Sequence, residues 1–417
     1  MEEVITRKGL TDAIASYARL AVRTGLHLQK GQRLLINAPI ECASFARLVA
    51  REAYVAGAYD VHVAWADEKF SRVRFEGASD EALAGFPSWQ REMYEQSAQE
   101  GSAFLSIHAN DPEIMKGIPA EKLQIAQKSA GEALLTYRQK LMRNDNRWCV
   151  ISVPTEGWAR KVFPEARENA VHLLWEEILK SVRVVAGLDA DAAWAAHLKR
   201  LEHAAKFMNE HAFHALAYHS EAGTNLTIAL PEGHIWSGGA EVAGDGISFV
   251  ANMPTEEIFT LPKRNGVEGT VVATRPLHYN GHLIEDFRLT FHQGKVASFH
   301  AERGEDVLRE LLATDEGSSH LGEVALVPVD SPISRSGLLF YNTLFDENAS
   351  CHLALGKAYP TSLQGGEKLQ SLELLERGAN DSLVHVDFMV GDDTLDIDGI
   401  MKDGSLVPVF RKGKYAF

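Results

Sequence analysis

The stretch LLINAPIECASFARLVAREAYVAGAYDVHVAW, running from Leu34 to Trp65, decides the fold of the first half of the chain. Leu34-Leu35-Ile36 is an apolar run of strand length. From Ala43 to Ala56, Phe45, Leu48, Val49 and Val55 recur in helical register, and Gly57 ends the helix; Val61, Val63 and Trp65 then alternate with period two. Strand, helix and strand in that order form a βαβ unit. The same texture extends outward. Ile14, Tyr17, Ala18, Ala21 and Val22 stand at helical spacing upstream; downstream come a predicted helix near 80–97, a strand at 104–107, a helix near 121–142 and a strand at 148–153. Repeated βαβ units predict a mainly parallel sheet covered on both faces.

A chain of 417 residues exceeds one ordinary domain, since domains typically hold roughly 100 to 200 residues. The texture changes where Val184-Val185-Ala186-Gly187-Leu188-Asp189 closes the first pattern. A helical region at 191–209 follows, and then short glycine-punctuated segments such as 216–218, 226–230 and 269–273 that read as antiparallel strands. The expected fold class is α/β. It comprises a wound α/β domain over 1–187 and, over 188–417, a mixed α+β, largely antiparallel domain that holds the candidate metal ligands.

Composition narrows the function. Lys and Arg number 42 against 57 Asp and Glu, a net charge of −15. That field repels a phosphate backbone, so no nucleic-acid partner is expected. No apolar run reaches the roughly 18 residues of a membrane span, so no membrane partner is expected either. The opening MEEVITRKGL places Glu2 and Glu3 where an export signal carries basic residues. Cys42, Cys149 and Cys351 are too few and too scattered for a disulfide framework, which fits a reducing cytoplasm. The turn after the first strand reads Asn37-Ala38-Pro39-Ile40-Glu41, without the glycines of G-x-G-x-x-G, and no nucleotide cofactor is expected there. H-E-x-x-H, G-x-S-x-G and the phosphate-loop signature are also missing from the sequence.

What remains is a set of ligand-type side chains in the second half. In Asn252-Met253-Pro254-Thr255-Glu256-Glu257-Ile258-Phe259-Thr260 the adjacent acids must point to opposite faces of a strand, and one of them faces inward. Glu323 opens the apolar run Val324-Ala325-Leu326-Val327. Glu347 and His352, five residues apart, lie about 140° apart on a helix, so joint ligation requires a turn rather than one regular face. His385 and Asp387, in Val384-His385-Val386-Asp387-Phe388, share one face of a strand while the apolar residues take the other. Each of these alone reads as a solvated acid or an ordinary hydrogen-bonded histidine. Together, carboxylates and imidazoles suit divalent zinc, cobalt, manganese or magnesium, and bridging carboxylates suit a pair of ions.

These segments, in this order and spacing, resemble the metallo-aminopeptidase family that includes aminopeptidase T and aminopeptidase S. Asn252–Thr260, Gly322–Val327, Thr343–Ala349 with Cys351-His352, and His385–Met389 carry the resemblance, joined by Gly31-Gln32 and Ala53–Ala58 in the first half. It spans nearly the whole chain. It implies that Glu257, Glu323, Glu347, His352, His385 and Asp387 hold two divalent ions, zinc or cobalt foremost, with Glu323 as the bridge. The choice of Glu257 over Glu256 comes from the family pattern. Tyr359, in Gly356-Lys357-Ala358-Tyr359-Pro360, corresponds to the family's catalytic tyrosine, although by itself a tyrosine before proline reads as a packed turn residue.

The resemblance further implies a homodimer whose first domain helps to enclose the site, and short peptides with a free N-terminus as substrates. From ligand chemistry the expected reaction is attack on the first peptide carbonyl by a hydroxide held between two metals, with Tyr359 stabilising the oxyanion or moving the proton. Glu256 is a candidate for holding the α-amine or supporting a ligand. Two other readings compete. Ring-cleaving dioxygenases of hydroxylated pyridines are similar to this family in fold and use one ferrous ion held by histidines and a carboxylate, for which His352, His385 and Asp387 would suffice. A metal-stabilised binding protein without turnover is the other. Glu257, Glu323 and Glu347 are the extra carboxylates that favour the hydrolase.

Overall fold

Leu34, Leu35 and Ile36 are buried in the second strand of a five-stranded sheet. Their strand, Arg33–Pro39, runs parallel to Asp60–Ala66 on one side and to Ala103–Ile107 on the other, so that Leu34 lies opposite both Val61 and Ala103. Trp148–Ile151 and the two-residue strand Asn252–Met253 extend the sheet, again in parallel. This is the wound α/β arrangement that the sequence predicts. The protein is seen here as a computed structural model that describes residues 7–185, 187–279 and 282–417. Glu2, Glu3 and Ala186, which enter the sequence reading, lie outside those residues.

Local details depart from the periodicity for identifiable reasons. The helix Ala43–Val55 buries Phe45, Ala46, Val49 and Ala53. Val55 is exposed, because at 100° per residue it falls about 135° from the centre of that face. The helix predicted near 80–97 is two, Asp80–Ala84 and Ser88–Gln99, separated at Pro87, which lacks the N–H that a continuous helix needs. The helix predicted near 121–142 is likewise two, Ala120–Ala133 and Leu135–Met142. The three cysteines are buried and unpaired.

The chain forms two compact units. The first takes residues up to Leu198 together with Ala240–Pro254 and Leu338–Asp346; the second takes Lys199–Gly239, Thr255–Gly337 and Glu347–Phe417. The short returns to the first unit have local causes: Asn252–Met253 supplies its fifth strand, and Phe340, stacked on Phe345, accepts a hydrogen bond at its carbonyl from Trp158 Nε1 at 2.6 Å.

Two antiparallel sheets build the second unit. One has nine strands, among them Ala215–His219, Asn225–Ala229 and Val267–Val272. The other has four, Ile258–Thr260, Leu321–Leu326, His352–Gly356 and His385–Met389, in that spatial order. One core joins them, with Leu216, Ile228 and Leu289 from the large sheet and Val324, Leu326, Leu353, Leu355 and Phe388 from the small one. Since strand side chains alternate, the small sheet's odd-numbered partners of Val324 and Leu326, and the even-numbered partners of Leu353 and Leu355, must face away from that core.

Candidate active site

That second face of the four-stranded sheet is where the ligand-type residues collect. Residues directly opposite one another in an antiparallel pair share a face. Phe259 is opposite Ala325, Ala325 is opposite His352, and His352 is opposite Met389. In the next row Glu323, Ala354 and Asp387 are aligned, and beyond them Gly356 is opposite His385. The pattern thus alternates ionisable side chains with Ala325, Ala354 and Gly356, whose small size leaves room above the sheet for the larger groups.

Glu257 precedes Phe259 by two residues and has the same parity, so it joins this face. Glu256 has the opposite parity and is also buried, with its backbone N–H donating to Asn348 Oδ1 at 2.7 Å. Its charge, after burial and Cys351, contributes to lifting the Tyr415 phenol well above its usual range. Alternation therefore separates the two acids, and neither of them is a surface residue.

The distances define two overlapping groups. His352 Nε2 lies 3.2 Å from Glu257 Oε2 and 3.6 Å from Glu323 Oε1. His385 Nε2 lies 3.5 Å from Glu323 Oε2 and 3.3 Å from Asp387 Oδ1. Glu257, Glu323 and His352 form one set of converging donor atoms, and Glu323, His385 and Asp387 form the other. Glu323 belongs to both, one carboxylate oxygen turned to each histidine. Glu347 opens the 3-10 turn Glu347–Ala349, five residues before the His352 strand position, so the turn that the spacing demanded is present. It belongs to neither three-residue set, yet burial and then the charges of Glu257 and Asp387 raise its carboxyl well above the usual carboxylate range.

Both histidines are oriented by the backbone. Nδ1 of His385 donates to the Lys357 carbonyl at 2.7 Å, and Nδ1 of His352 to the Ser350 carbonyl at 3.2 Å. A carbonyl only accepts, so each Nδ1 carries a proton and each Nε2 lone pair is aimed at the carboxylates. In the absence of a cation that arrangement favours protonation. Burial opposes the charged imidazolium of His352, but Glu257 and Glu323 outweigh it and raise its pKa well above normal. Against the same burial, Asp387 and Glu323 raise His385 to about 9. Burial, with Asp387 and Glu257, raises Glu323, whereas Asp387 is held low by His385 despite its own burial.

The donor set fits divalent metal. Oε2 of Glu257 and Oδ1 of Asp387 are buried against the Nε2 atoms of His352 and His385, and buried carboxylate oxygens facing nitrogen lone pairs are costly unless a cation or a proton meets them. Two Nε2 lone pairs held by hydrogen bonds at Nδ1 are the usual way in which proteins present imidazole to a metal. A bulge supports the central acid: the pairing shifts between Leu321 and Glu323. At the intervening Gly322 a Cβ would stand 2.3 Å from the Gly356 carbonyl oxygen and 2.4 Å from that of Lys357, so only glycine permits this approach.

Tyr359 follows the His352 strand. Its ring lies 4.9 Å from the His385 ring, centroid to centroid, and 6.1 Å from Phe259 in an edge-on contact. Burial, followed by the charges of Glu323 and Asp387, raises its phenol, so it stays protonated across the neutral range. The sequence reading did not single out Gly322, Asn348 or the Lys357 carbonyl. Only the pairing register shows what they do; the one legible signal was Gly322 directly before a carboxylate in an apolar strand.

Known proteins with this architecture were found. A family model described as thermophilic metalloprotease (M29) matches residues 10–415. The chain is 47% identical over 403 residues to aminopeptidase AmpS of Bacillus subtilis (strain 168), covering 96% of this chain and 98% of that protein. The structure of wild-type AmpT from Thermus thermophilus matches with a TM-score of 0.92 at 41% identity, covering 98% of this chain and 100% of the other. A 2,5-dihydroxypyridine dioxygenase from Pseudomonas putida KT2440 matches with a TM-score of 0.53 at 11% identity, over 99% of this chain and 98% of the other. At that identity the likeness is one of fold alone.

Proposed function

Since the chain belongs to the thermophilic metalloprotease (M29) family, we propose that it is a metal-dependent aminopeptidase that releases the N-terminal residue of short peptides. The observation that carries this reading is the sharing of Glu323 between two converging donor sets on one sheet face. Glu257, Glu323, Glu347 and Asp387 together bear a charge of −4 when ionised, equal and opposite to that of two divalent cations. A pair of ions thus removes the repulsion that otherwise lifts Glu323 and Glu347. Imidazole and carboxylate together suit zinc or cobalt, with manganese or magnesium as the harder alternatives.

Glu257 and His352 would hold one ion, His385 and Asp387 the other, with Glu323 between them and Glu347 as the further carboxylate. When bound, such a pair supplies an activated water and a Lewis acid for the first peptide carbonyl. The chain's own part is to position and to exchange protons. Lys357 and Ser350 fix the imidazoles through their carbonyls. Tyr359 keeps its proton and can donate it in a hydrogen bond to the oxyanion that develops on the carbonyl. A free α-amine would be held by an ion of the pair or by an acidic residue, and a blocked terminus forgoes that contact. Glu256, buried and with its backbone N–H on Asn348, is the candidate for holding the α-amine or supporting a ligand.

In this reading the second unit, which falls within residues 188–417, is the catalytic one, and the family resemblance adds a cytoplasmic homodimer. No helix among the described residues is long and apolar enough to cross a membrane. Amino-acid anilides with free and with acetylated α-amines test the proposal. Turnover of the free series alone is expected; equal turnover of both, or of neither with metal present, would contradict it.

A further inference from the structure

Two of the proposed ligands stand where the chain changes units. It passes from the first unit to the second between Pro254 and Thr255, and again between Asp346 and Glu347. Glu347 is thus the first residue past one crossing, and Glu257 the third past the other. On the near side both segments are anchored: Met253 pairs with Ile151 in the parallel sheet, and the Asp346 carboxylate accepts the backbone N–H groups of Phe340 at 2.7 Å and Asn342 at 2.9 Å. On the far side the antiparallel ladder begins at Ile258 and at His352. Glu257 and Glu347 fall in the stretches between, outside any strand. Glu323, His385 and Asp387, by contrast, lie inside the ladder, whose register fixes them.

One side chain ties the two irregular stretches together. Asn348, fully buried in the 3-10 turn Glu347–Ala349, accepts the Glu256 N–H at its Oδ1, 2.7 Å away and 92 residues apart in sequence. Asn348 directly follows Glu347 and Glu256 directly precedes Glu257, so the bond links the two acids at one residue's remove from each. After burial, Glu257 is the largest influence raising the Glu347 carboxyl, which agrees with their closeness. We infer that Asn348 is a positioning residue: its hydrogen bond sets the separation of Glu257 from Glu347, and with it the affinity for the ion held by Glu257 and His352. The ion held by His385 and Asp387 is left to the ladder. This rests on the two-ion reading, since it says what keeps part of that ligand set in place. A carboxylate on irregular backbone moves unless a further contact fixes it, whereas strand pairing already fixes the others.

The test compares the wild type with Asn348→Leu, which keeps the bulk and removes the acceptor, and Asn348→Asp, which keeps an acceptor oxygen at the same reach. Each is titrated with cobalt by calorimetry, anomalous diffraction reads the cobalt occupancy beside each histidine, and the melting temperature of the metal-free protein is recorded. Affinity for the ion at Glu257 and His352 is expected to fall about 10- to 100-fold in Asn348→Leu, the usual effect of removing a group that orients a metal ligand. The ion at His385 and Asp387 should be unaffected, and Asn348→Asp should keep most of the affinity at both positions. Equal weakening of both ions, with a lower melting temperature, would mean that Asn348 only supports the fold. Two ions at wild-type affinity in Asn348→Leu, or the same selective loss in Asn348→Asp, would mean that the acceptor does not set the ligands; each of these results overturns the inference. A wild type that takes up one cobalt ion or none would instead overturn the two-ion reading beneath it.

Discussion

The ring of Tyr359 lies against the imidazole of His385, with centroids 4.9 Å apart and planes inclined at 55°. The contact holds the phenol beside the donor set without making it a ligand. Tyr359→Phe keeps the ring contact and removes only the hydroxyl. It is expected to lower kcat by about 10²- to 10³-fold, the usual loss for one oxyanion donor, with metal content unchanged. Steady-state kinetics and elemental analysis on one preparation check this. Unchanged kcat would remove the tyrosine from the reaction.

Glu323→Gln addresses the bridge. The amide retains the size of the carboxylate but presents a donor to one of the two histidines, and neutral oxygen is a poor bridging ligand. Titration calorimetry is expected to show the loss of one tight site, with the other retained or weakened. Two sites of wild-type affinity would show that Glu323 does not join the ions.

Gly322→Ala probes the bulge. The new methyl group would stand 2.3 and 2.4 Å from two backbone oxygens, so the strand must move, at a cost of roughly 1–3 kcal/mol. Glu323 is the next residue and moves with it. A fall in thermal midpoint accompanied by weaker metal binding is expected; a stable protein with normal metal affinity would refute the role given to the bulge.

Removing metal should create a pH dependence that the loaded protein lacks. In the metal-free fold His385 is raised to about 9 by Asp387 and Glu323, against the opposing effect of burial, whereas the unfolded value is about 6.5. A raised histidine binds its proton more tightly in the folded state, so its stabilising effect is complete below about 6.5 and is lost as pH rises towards 9. Chelated protein should therefore melt at progressively lower temperature from pH 6.5 to 9. Protein with metal on His385 should not follow that trend, and parallel melting curves for the two forms would contradict it.

Much of this was legible in the sequence because it depends on periodicity. Leu34–Trp65 declared a parallel βαβ unit, and the i, i+2 spacing of His385 and Asp387 put both on one strand face, as the register records. Glu256 and Glu257 could be separated but not ranked, because alternation states only that they differ; the neighbouring strand decides which side holds the other donors. The convergence of Glu323 with both histidines is a property of antiparallel register across three strands far apart in sequence. Spacing within any one segment cannot carry it. Pro87 shows the opposite limit: its position in the sequence was plain, and periodicity on both sides concealed the break that it makes.

Titration of metal-free protein with zinc or cobalt, following bound ions per chain and hydrolysis of leucine anilide together, tests the central claim most directly. The account predicts saturation at two ions per chain, with full activity only as the second site fills. Saturation at a single ion with full activity, or two ions bound with no hydrolysis of any unblocked substrate, would contradict it.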